Sequence, residues 1–294
     1  MQRDDLPEEA IKELEKRINE RKGNLSSKKI KGTKFLNESQ KDSWNDSGYV
    51  LFRGLIKEKE CDQINLEVIQ IINSMVKEGE GFSHAYADNG KIAIREMKPN
   101  NNAQNIEDEM SKLFRIHSGG IFNDVIKKEE ILNPLKDILG NNIDCFLSQF
   151  IFKNPGAWGQ PWHQDSSYFN FDRYPQVGLW IATSKATIEN GCLVILPGSH
   201  KEPLHEHLAD NRPGANYGYT EIRDYDFSTE QPLLLEKGDV LFFHSFLMHK
   251  SFDNKSKEKR TAMVYHFAES ETNVIGMDSP TNEWINLVKN GEKI

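Results

Sequence analysis

The second half of the chain is a series of short apolar and aromatic runs separated by turn-forming residues. This pattern constrains the fold more than any other feature of the sequence. Runs rich in β-branched and aromatic residues, bounded by glycine, proline, asparagine and aspartate, are typical of β-strands. From Gly140 onward the runs are CFLSQFIFK, VGLWIATSKA, CLVILP, PLLLE, DVLFFHSFLMHKS and RTAMVYHFA. The sequence therefore predicts a sheet core in this half.

The first half shows the three- and four-residue apolar spacing of helices. Its clearest helix is predicted over residues 59–77, and Asn37 with Gln40 resembles a capping box that starts a shorter helix before Gly48. The further predicted elements are a strand at 49–52 and helices at 106–117 and 124–139, the last broken or kinked at Pro134. Together the halves predict an α+β protein whose mainly β core is braced by helices on one side.

The chain is predicted to divide into a charged N-terminal segment and one larger domain. Residues 1–34 are expected to form a charged helix and a linker, and residues 35–294 a single domain with its β core at about 143–268. Residues 201–231 are rich in histidine, aspartate, asparagine, glycine and tyrosine, and are predicted to form a long insertion between strands. Long insertions of this kind are often functional.

Charge and composition exclude several classes of function. The formal net charge of −8 leaves no basic excess to neutralise nucleic-acid phosphates or an anionic membrane. The 3 cysteines lack CxxC spacing, which argues against a disulfide framework and suits a reducing compartment. No apolar run approaches the roughly 18 residues that span a bilayer, and no targeting segment is recognisable. We therefore expect a cytoplasmic protein without nucleic-acid or membrane partners.

The first candidates for a metal site are His163 and Asp165, two residues apart in PWHQDSSYF. With 9 histidines and 45 acidic residues, about one or two such pairs arise by chance, so the pair alone proves nothing. On a strand, however, residues i and i+2 share a face and would chelate one ion. Two histidines and one carboxylate with open positions suit non-haem iron(II). His249, at the end of an apolar run, is the best third ligand, whereas His244 is interpreted as structural.

An arginine downstream adds an anion site to the candidate metal site. Ser251 shares the strand face of His249, and the polar loop DNKSKEK is predicted to form a hairpin that brings Arg260 beside both. A buried arginine next to a metal needs an anion, because an unpaired buried charge is costly. Its planar fork suits a carboxylate. A dicarboxylate that chelates the metal at one end and pairs with Arg260 at the other would fit this arrangement.

These residues and their surrounding motifs resemble the phytanoyl-CoA dioxygenase family of iron(II)- and 2-oxoglutarate-dependent oxygenases. The resemblance covers roughly residues 35–268 and rests, in chain order, on SGYVLFRGLI, FKNPG, QPWHQDSSYF, NGCLVILPGSHK, EKGDVLFFHSFLMHKS and RTAMVYHFA. It implies a cupin-like double-stranded β-helix, also called a jelly roll. It further implies iron(II) and 2-oxoglutarate as cofactors, O2 as cosubstrate, and ascorbate as an aid to activity.

The resemblance also implies roles for particular residues. His163, Asp165 and His249 correspond to the catalytic iron ligands, and Arg260 and Ser251 to partners of the far carboxylate of 2-oxoglutarate. The other cosubstrate-binding candidates are Trp180 in GLWIATS, more loosely Gln149 in LSQFIFK, and Arg95 in IAIREMK, with Lys91 and Lys98 as nearby alternatives.

The implied reaction couples decarboxylation of 2-oxoglutarate, which gives succinate and CO2, to oxidation of an unactivated C–H bond. Halogenating relatives have a small residue in place of the carboxylate, so Asp165 favours oxygenation. Hydroxylation is the main expectation, and desaturation or oxidative cyclisation stays open. The expected substrate is a small molecule, such as an amino acid derivative or a natural-product intermediate, because no basic patch suits a CoA thioester. We expect a monomer or a homodimer.

Substrate contacts are expected at the mouth of the β core and in the insertions. The candidates are Tyr168, Phe169, Arg173 and Arg115, followed by Arg223 and Tyr217. A surface salt bridge is an equal alternative for Arg173.

The remaining histidines have structural interpretations. His205 and His207 have metal-ligand spacing but belong to the polar insertion, and His266 is interpreted as a core histidine with satisfied hydrogen bonds. Two other function classes stay open: a non-catalytic jelly-roll binding protein, and a zinc hydrolase built on the same three ligands. The zinc alternative leaves Arg260, Ser251 and Trp180 unexplained.

Overall fold

The computed structural model describes residues 29–76, 83–97, 103–169, 171–213, 215–216, 218–274 and 284–294. Four α-helices lie within these ranges: α1 Glu38–Ser47, α2 Glu58–Met75, α3 Gly120–Ile126 and α4 Glu129–Leu139. The strands of the first half are β1 Tyr49–Phe52, β2 Ala85–Asp88, β3 Lys91–Arg95 and β4 Met110–Phe114. The later strands are β5 Ile143–Lys153, β6 Val177–Ala182, β7 Leu193–Ile195, β8 Leu208–Ala209, β9 Thr220–Glu221, β10 Gln231–Pro232, β11 Val240–His244, β12 His249–Ser251, β13 Arg260–Glu269, β14 Ile285–Lys289 and β15 Glu292–Lys293.

The early helices and the first strand confirm the sequence prediction. Asn37 and Gln40 form the predicted capping box at the start of α1, and Gly48 ends that helix in the left-handed conformation. The long helix α2 buries the apolar stripe that includes Ile64, Val68 and Ile72.

The helix predicted at 106–117 is wrong. A 3-10 turn at Ile106–Asp108 is followed by strand β4, which pairs with β3 and β5. Ile106, Met110 and Leu113 are spaced four and three apart, as on a helix, and this spacing misled the prediction. Pairing with two neighbouring strands overrides the helical spacing, because each strand satisfies the other's backbone groups.

The predicted break at Pro134 is also wrong. Helix α4 continues through Pro134, and the interruption lies earlier, at residues 127–128 between α3 and α4. Ile131 and Leu135 of α4 are fully buried against the core, so tertiary packing offsets the hydrogen bond that proline cannot donate.

Two antiparallel sheets form the jelly roll that the resemblance implied. The large sheet has the order β1-β11-β6-β13-β5-β4-β3-β2, and the small sheet the order β10-β7-β12. Strand β13 shows how each face is used: Met263, Tyr265 and Phe267 pack in the core cluster that includes the helices. Ala262 and Val264 instead join the cluster that contains residues of the small sheet. This alternation leaves one face of the large sheet free to line a cavity between the sheets.

Several sequence predictions fall outside the described residues. The helix and linker predicted for residues 1–34 fall almost entirely in the undescribed range 1–28. The division at residue 34 stays a prediction. Lys98 and Tyr217 are also outside the described ranges. Within those ranges, no helix combines the length and the apolar character needed to cross a membrane.

Gly159 offers a test of the close contact between the segment before His163 and strand β12. A Cβ atom at Gly159 would lie 1.8 Å from the backbone oxygen of Ser251, which cannot swing away as a side chain can. We expect Gly159→Ala to lower the free energy of unfolding by about 1–3 kcal/mol in urea denaturation. Gly32→Ala is the control, because a Cβ there meets nothing within 4 Å, and its effect should stay within about 0.5 kcal/mol. Equal stability of the two variants would contradict this packing.

Candidate active site

The three predicted metal ligands lie together at the edge of the small sheet. Their ligand atoms are all within 4.8 Å of one another, and all three side chains are buried. His163 and His249 form an isolated antiparallel bridge, whereas Asp165 begins a 3-10 turn at Asp165–Ser167. The predicted chelation from one strand is therefore wrong in its geometry: a turn brings Asp165 to His163. His249 likewise begins strand β12, although it was expected to end a strand.

Backbone carbonyls fix the orientation of both histidine rings. His163 Nδ1 lies 2.8 Å from the oxygen of Pro161, and His249 Nδ1 lies 2.9 Å from the oxygen of Leu247. A carbonyl can only accept, so each Nδ1 carries the hydrogen and each Nε2 presents a lone pair. The two Nε2 atoms lie 3.4 and 3.7 Å from Oδ1 of Asp165. The three potential metal-ligand atoms therefore converge on one point, as binding of a shared metal ion requires.

The protonation states also suit a metal site. Burial, together with the neighbouring His163, lowers the pKa of His249 to about 4. Burial alone would raise the pKa of the Asp165 carboxyl, but His249, His163 and His266 together hold it below its usual range. At neutral pH His249 is therefore uncharged and Asp165 is a carboxylate, which are the forms that bind metal.

Gln164, between the first two ligands, is clamped by the 201–231 insertion. This fully buried side chain donates to the oxygens of Pro203 (3.1 Å) and Phe246 (3.0 Å) and accepts from the backbone N–H of His205 (2.9 Å). Its own backbone N–H donates to Nε2 of His207 at 2.9 Å. His205 and His207 are therefore not a metal pair, and the insertion instead holds the turn that carries the ligands.

A cavity of about 310 Å³ opens beside the three ligands. The sequence-predicted residues that line it are His163, Asp165, His249, Arg260, Ser251, Trp180, Gln149, Tyr168 and Phe169. A volume of this size suits a small cosubstrate or ligand.

Arg260 forms the cationic end of this cavity. The residue is 1 % exposed, and its Nη2 donates to the oxygen of Gly191 at 2.9 Å. Its Nε and Nη1 have no hydrogen-bond partner within the described part of the chain, and burial lowers its pKa to about 10, which leaves it charged at neutral pH. Two unpaired donors on a buried guanidinium fit the carboxylate of a cosubstrate such as 2-oxoglutarate. Trp180 lies beside it, with Cζ of Arg260 5.5 Å from its ring centroid.

The hairpin predicted between Ser251 and Arg260 is not present. Strand β12, with Ser251, pairs with β7 in the small sheet, whereas β13, which begins at Arg260, pairs with β5 and β6 in the large sheet. The two residues line the same cavity from different sheets. The predicted hairpin is therefore wrong, although both residues contribute to one cavity.

Two lysines that sequence reasoning missed also line the cavity. Lys153 lies directly opposite Arg260 in the register of β5 and β13, and its Nζ donates to Ser251 Oγ (2.7 Å) and to the oxygen of Phe252 (2.6 Å). Lys112 on β4 is half-buried, and burial lowers its pKa to about 8. Strand alternation was the available signal, because Lys153 shares the parity of Gln149 in the apolar run CFLSQFIFK.

Four predicted arginines do not line the cavity: Arg95, Arg115, Arg173 and Arg223. Arg95, the upstream cosubstrate candidate, does not line the cavity, and its guanidinium donates to Tyr86 and pairs with Glu109. Lys112, which is paired with Ile94 on the neighbouring strand, does line it. Arg115 has an exposed side chain, and its backbone has a positive φ of 64°.

Arg173 forms the surface salt bridge that was its alternative interpretation. Its guanidinium lies 3.3 Å from Glu269 and 3.0 Å from Glu271, and it does not line the cavity beside the three metal-ligand candidates. Arg223 pairs with Glu221 at 2.7 Å.

Two aromatic residues form the side of the cavity near the ligands. The Tyr168 hydroxyl lies 3.2 Å from the side-chain amide nitrogen of Gln160 and 3.0 Å from Oγ1 of Thr220, in the insertion. Phe169 packs edge-on against Phe146, with ring centroids 4.9 Å apart. This wall is aromatic and carries no charge, which suits an apolar part of a substrate.

His244 and His266 differ in whether their ring nitrogens are hydrogen-bonded. His244 is structural, as predicted, because its Nδ1 accepts from the backbone N–H of Phe246 at 3.0 Å. The prediction for His266 is wrong: it lines the cavity, and neither ring nitrogen has a hydrogen-bond partner in the described ranges.

Comparison with known proteins places this arrangement in a family. The sequence profile of the family "Phytanoyl-CoA dioxygenase (PhyH)" matches residues 44–262. A zebrafish (Danio rerio) relative, "Phytanoyl-CoA dioxygenase domain-containing protein 1", is 26% identical over 273 residues, which cover 81% of this chain and 92% of the relative.

Solved structures share the fold. The "non-heme monooxygenase; ThoJ apo" superposes with a TM-score of 0.63 at 18% identity, covering 84% of this chain and 83% of the other. The epimerase SnoN, solved with Fe3+, α-ketoglutarate and nogalamycin RO, gives a TM-score of 0.58 at 14% identity, covering 87% of this chain and 94% of SnoN. The chain therefore belongs to the phytanoyl-CoA dioxygenase family and is an iron- and 2-oxoglutarate-dependent dioxygenase.

Proposed function

We propose that this enzyme hydroxylates an unactivated C–H bond of a small molecule, such as an amino acid derivative or a natural-product intermediate. In this proposal His163, Asp165 and His249 bind iron(II), and Arg260 with Ser251 binds the far carboxylate of 2-oxoglutarate. The observation that carries it is the presence, in one cavity, of three convergent metal-ligand atoms and a buried guanidinium with two unpaired donors.

The chain's own residues supply binding and orientation. The metal is held by the Nε2 atoms of His163 and His249 and by the Asp165 carboxylate. The hydrogen bonds from Nδ1 of each histidine to a backbone carbonyl keep the two rings from rotating. When bound, iron and 2-oxoglutarate activate O2 and supply the oxidising power for C–H cleavage.

The cavity walls position the cosubstrate and the substrate. Arg260, which is charged at neutral pH, and Lys112, which is charged below about pH 8, both line the cavity and favour an anionic cosubstrate. The uncharged wall of Tyr168 and Phe169 orients an apolar part of the substrate towards the ligands and excludes water from it.

Desaturation and oxidative cyclisation begin with the same hydrogen abstraction and are the alternatives within this class. Product mass separates them, because hydroxylation adds one oxygen whereas desaturation and cyclisation remove two hydrogens. A cytoplasmic location and a monomeric or homodimeric state stay predictions.

The ligand assignment predicts what anaerobic titration with iron(II) and then 2-oxoglutarate will show. Wild type should develop the visible charge-transfer band of the iron–2-oxoglutarate chelate. His249→Ala should lose this band, because one of three metal ligands is gone. Arg260→Ala and Arg260→Lys should keep it but need roughly 10- to 100-fold more 2-oxoglutarate, since a charge-assisted bidentate contact is lost.

The matched controls are exposed residues outside the cavity. His84→Ala and Arg173→Ala should titrate as wild type, because neither side chain lines the cavity. Succinate release without added substrate should be similar in wild type and the two controls, lower in the Arg260 variants and lost in His249→Ala. Absence of a band in folded, metal-loaded wild type would sink the ligand assignment, and a normal 2-oxoglutarate requirement in both Arg260 variants would remove that residue from the site.

Lys112 predicts a pH dependence of cosubstrate binding. Its pKa of about 8 means that it is charged below pH 8 and loses this charge above it. Loss of a cation weakens the binding of a dianion, so the Kd for 2-oxoglutarate should rise by up to about tenfold between pH 7 and pH 9. Calorimetry with Co(II) in place of iron measures this Kd without oxidation. Lys112→Met should bind more weakly at pH 7 and lose the rise, and a rise that persists in this variant would assign it to another group.

A further inference from the structure

His266 occupies a position beside the metal ligands that the proposed mechanism does not yet use. It lies on β13 between Leu147 of β5 and Gly178 of β6, and its side chain is 2 % exposed. The residue lines the same cavity as the ligands.

Among the residues that the structure describes, the imidazole of His266 has no hydrogen-bond partner at either nitrogen. Its ring packs between aromatic groups, 5.1 Å from the ring centroid of Phe169 and 5.9 Å from that of Phe146. A polar group buried this fully without a partner costs free energy, and an apolar residue would fill the same space without that cost. An interaction that forms when the site is loaded would offset this cost.

A polar atom close to His266 belongs to Asp165 and is Oδ2, the carboxylate oxygen other than the one that lies beside the two histidines. Oδ1 of Asp165 lies 3.4 Å from His163 Nε2 and 3.7 Å from His249 Nε2. Oδ2 lies 3.7 Å from Nδ1 of His266. A metal bound through Oδ1 leaves Oδ2 in need of a donor, because a carboxylate coordinated through one oxygen keeps its other oxygen as a strong acceptor.

The gap between Oδ2 and Nδ1 is a few tenths of an ångström too long for a hydrogen bond. Such bonds at active sites are often long in the empty state and shorten when the site is filled. A small rotation of Asp165 as Oδ1 moves onto a metal would bring Oδ2 within reach of the imidazole.

We propose that His266 is a positioning residue, which donates from Nδ1 to Oδ2 of Asp165 and so keeps Oδ1 directed at the iron. This inference rests on the proposed function, in which Asp165 is an iron ligand. The bond would keep the Asp165 carboxylate in one orientation, with Oδ1 beside the Nε2 atoms of His163 and His249.

The test compares three substitutions in titrations of the full-length protein with Co(II), followed by absorbance and calorimetry. His266→Leu removes the donor and keeps an apolar side chain of similar size. His266→Asn places an amide N–H at the position of Nδ1, whereas His266→Gln places one at the position of Nε2. Thermal unfolding of each metal-free variant reports whether the fold itself has changed.

We expect His266→Leu and His266→Gln to bind Co(II) about 10- to 100-fold more weakly, the range typical of groups that orient metal ligands. Their Co(II) absorption should change in intensity, because the carboxylate is free to alter its coordination. His266→Asn should bind within about threefold of wild type and keep its spectrum. The metal-free Leu variant should unfold at or above the wild-type temperature.

Two results would overturn the inference. Wild-type affinity and spectrum in His266→Leu would show that the imidazole does not act on the metal site. Equal weakening in the Asn, Gln and Leu variants would assign the effect to packing, not to a donor at Nδ1. Failure of the proposed function looks different: wild type and His249→Ala would then bind Co(II) equally.

Discussion

Two backbone hydrogen bonds between His163 and His249 determine the geometry of the active site. The N–H of each residue donates to the oxygen of the other at 3.0 Å, the pattern of a hydrogen-bonded antiparallel pair. This pairing sets their rings 4.1 Å apart between centroids, although the residues are distant in sequence. The turn at Asp165 and the carbonyls that orient the rings depend on this register. A slip of one residue would turn one imidazole to the opposite face of the small sheet.

The other end of the cavity is governed by charge. Arg260 and Lys153 are opposite each other on neighbouring strands and are 1 % and 4 % exposed, an arrangement that is unfavourable for two cations. Burial and the nearby Arg260 lower the pKa of Lys153 well below its usual value, which reduces this repulsion. Backbone oxygens of Gly191 and Phe252 accept one donor from each side chain, while the remaining donors of Arg260 stay unpaired. An anionic cosubstrate thus completes an electrostatic arrangement that the protein leaves unbalanced.

The sequence predicted the residue types of the site better than their geometry. Motif order was enough to bring His163, Asp165, His249 and Arg260 together as candidates. It could not reveal that Asp165 lies in a turn or that Arg260 faces Ser251 from the other sheet, because both depend on pairing between distant strands.

Local sequence patterns gave wrong predictions where tertiary contacts determine the secondary structure or the position of a side chain. Ile106, Met110 and Leu113 have helical spacing, but residues 110–114 form strand β4 because they pair with β3 and β5. Arg95 was chosen for its charge and position, but its pairing with Glu109 removes it from the cavity, and Lys112 on the next strand lines the cavity instead. His266 was assigned to the core by its apolar neighbours, and only the three-dimensional arrangement shows Asp165 beside it.

The 201–231 insertion is bonded to the segment that carries His163 and Asp165 at several points. Residues 203–207 are bonded to Gln164, which lies between two of the proposed metal ligands. Residues 208–231 are bonded to the same segment at other points. Arg212 donates to the oxygen of Gly159, the backbone N–H of Ile222 donates to the oxygen of Trp162, and Thr220 contacts the Tyr168 hydroxyl. Replacement of this part of the insertion would therefore remove contacts on both sides of His163, so a change made to alter the cavity would also disturb the segment that carries the proposed metal ligands.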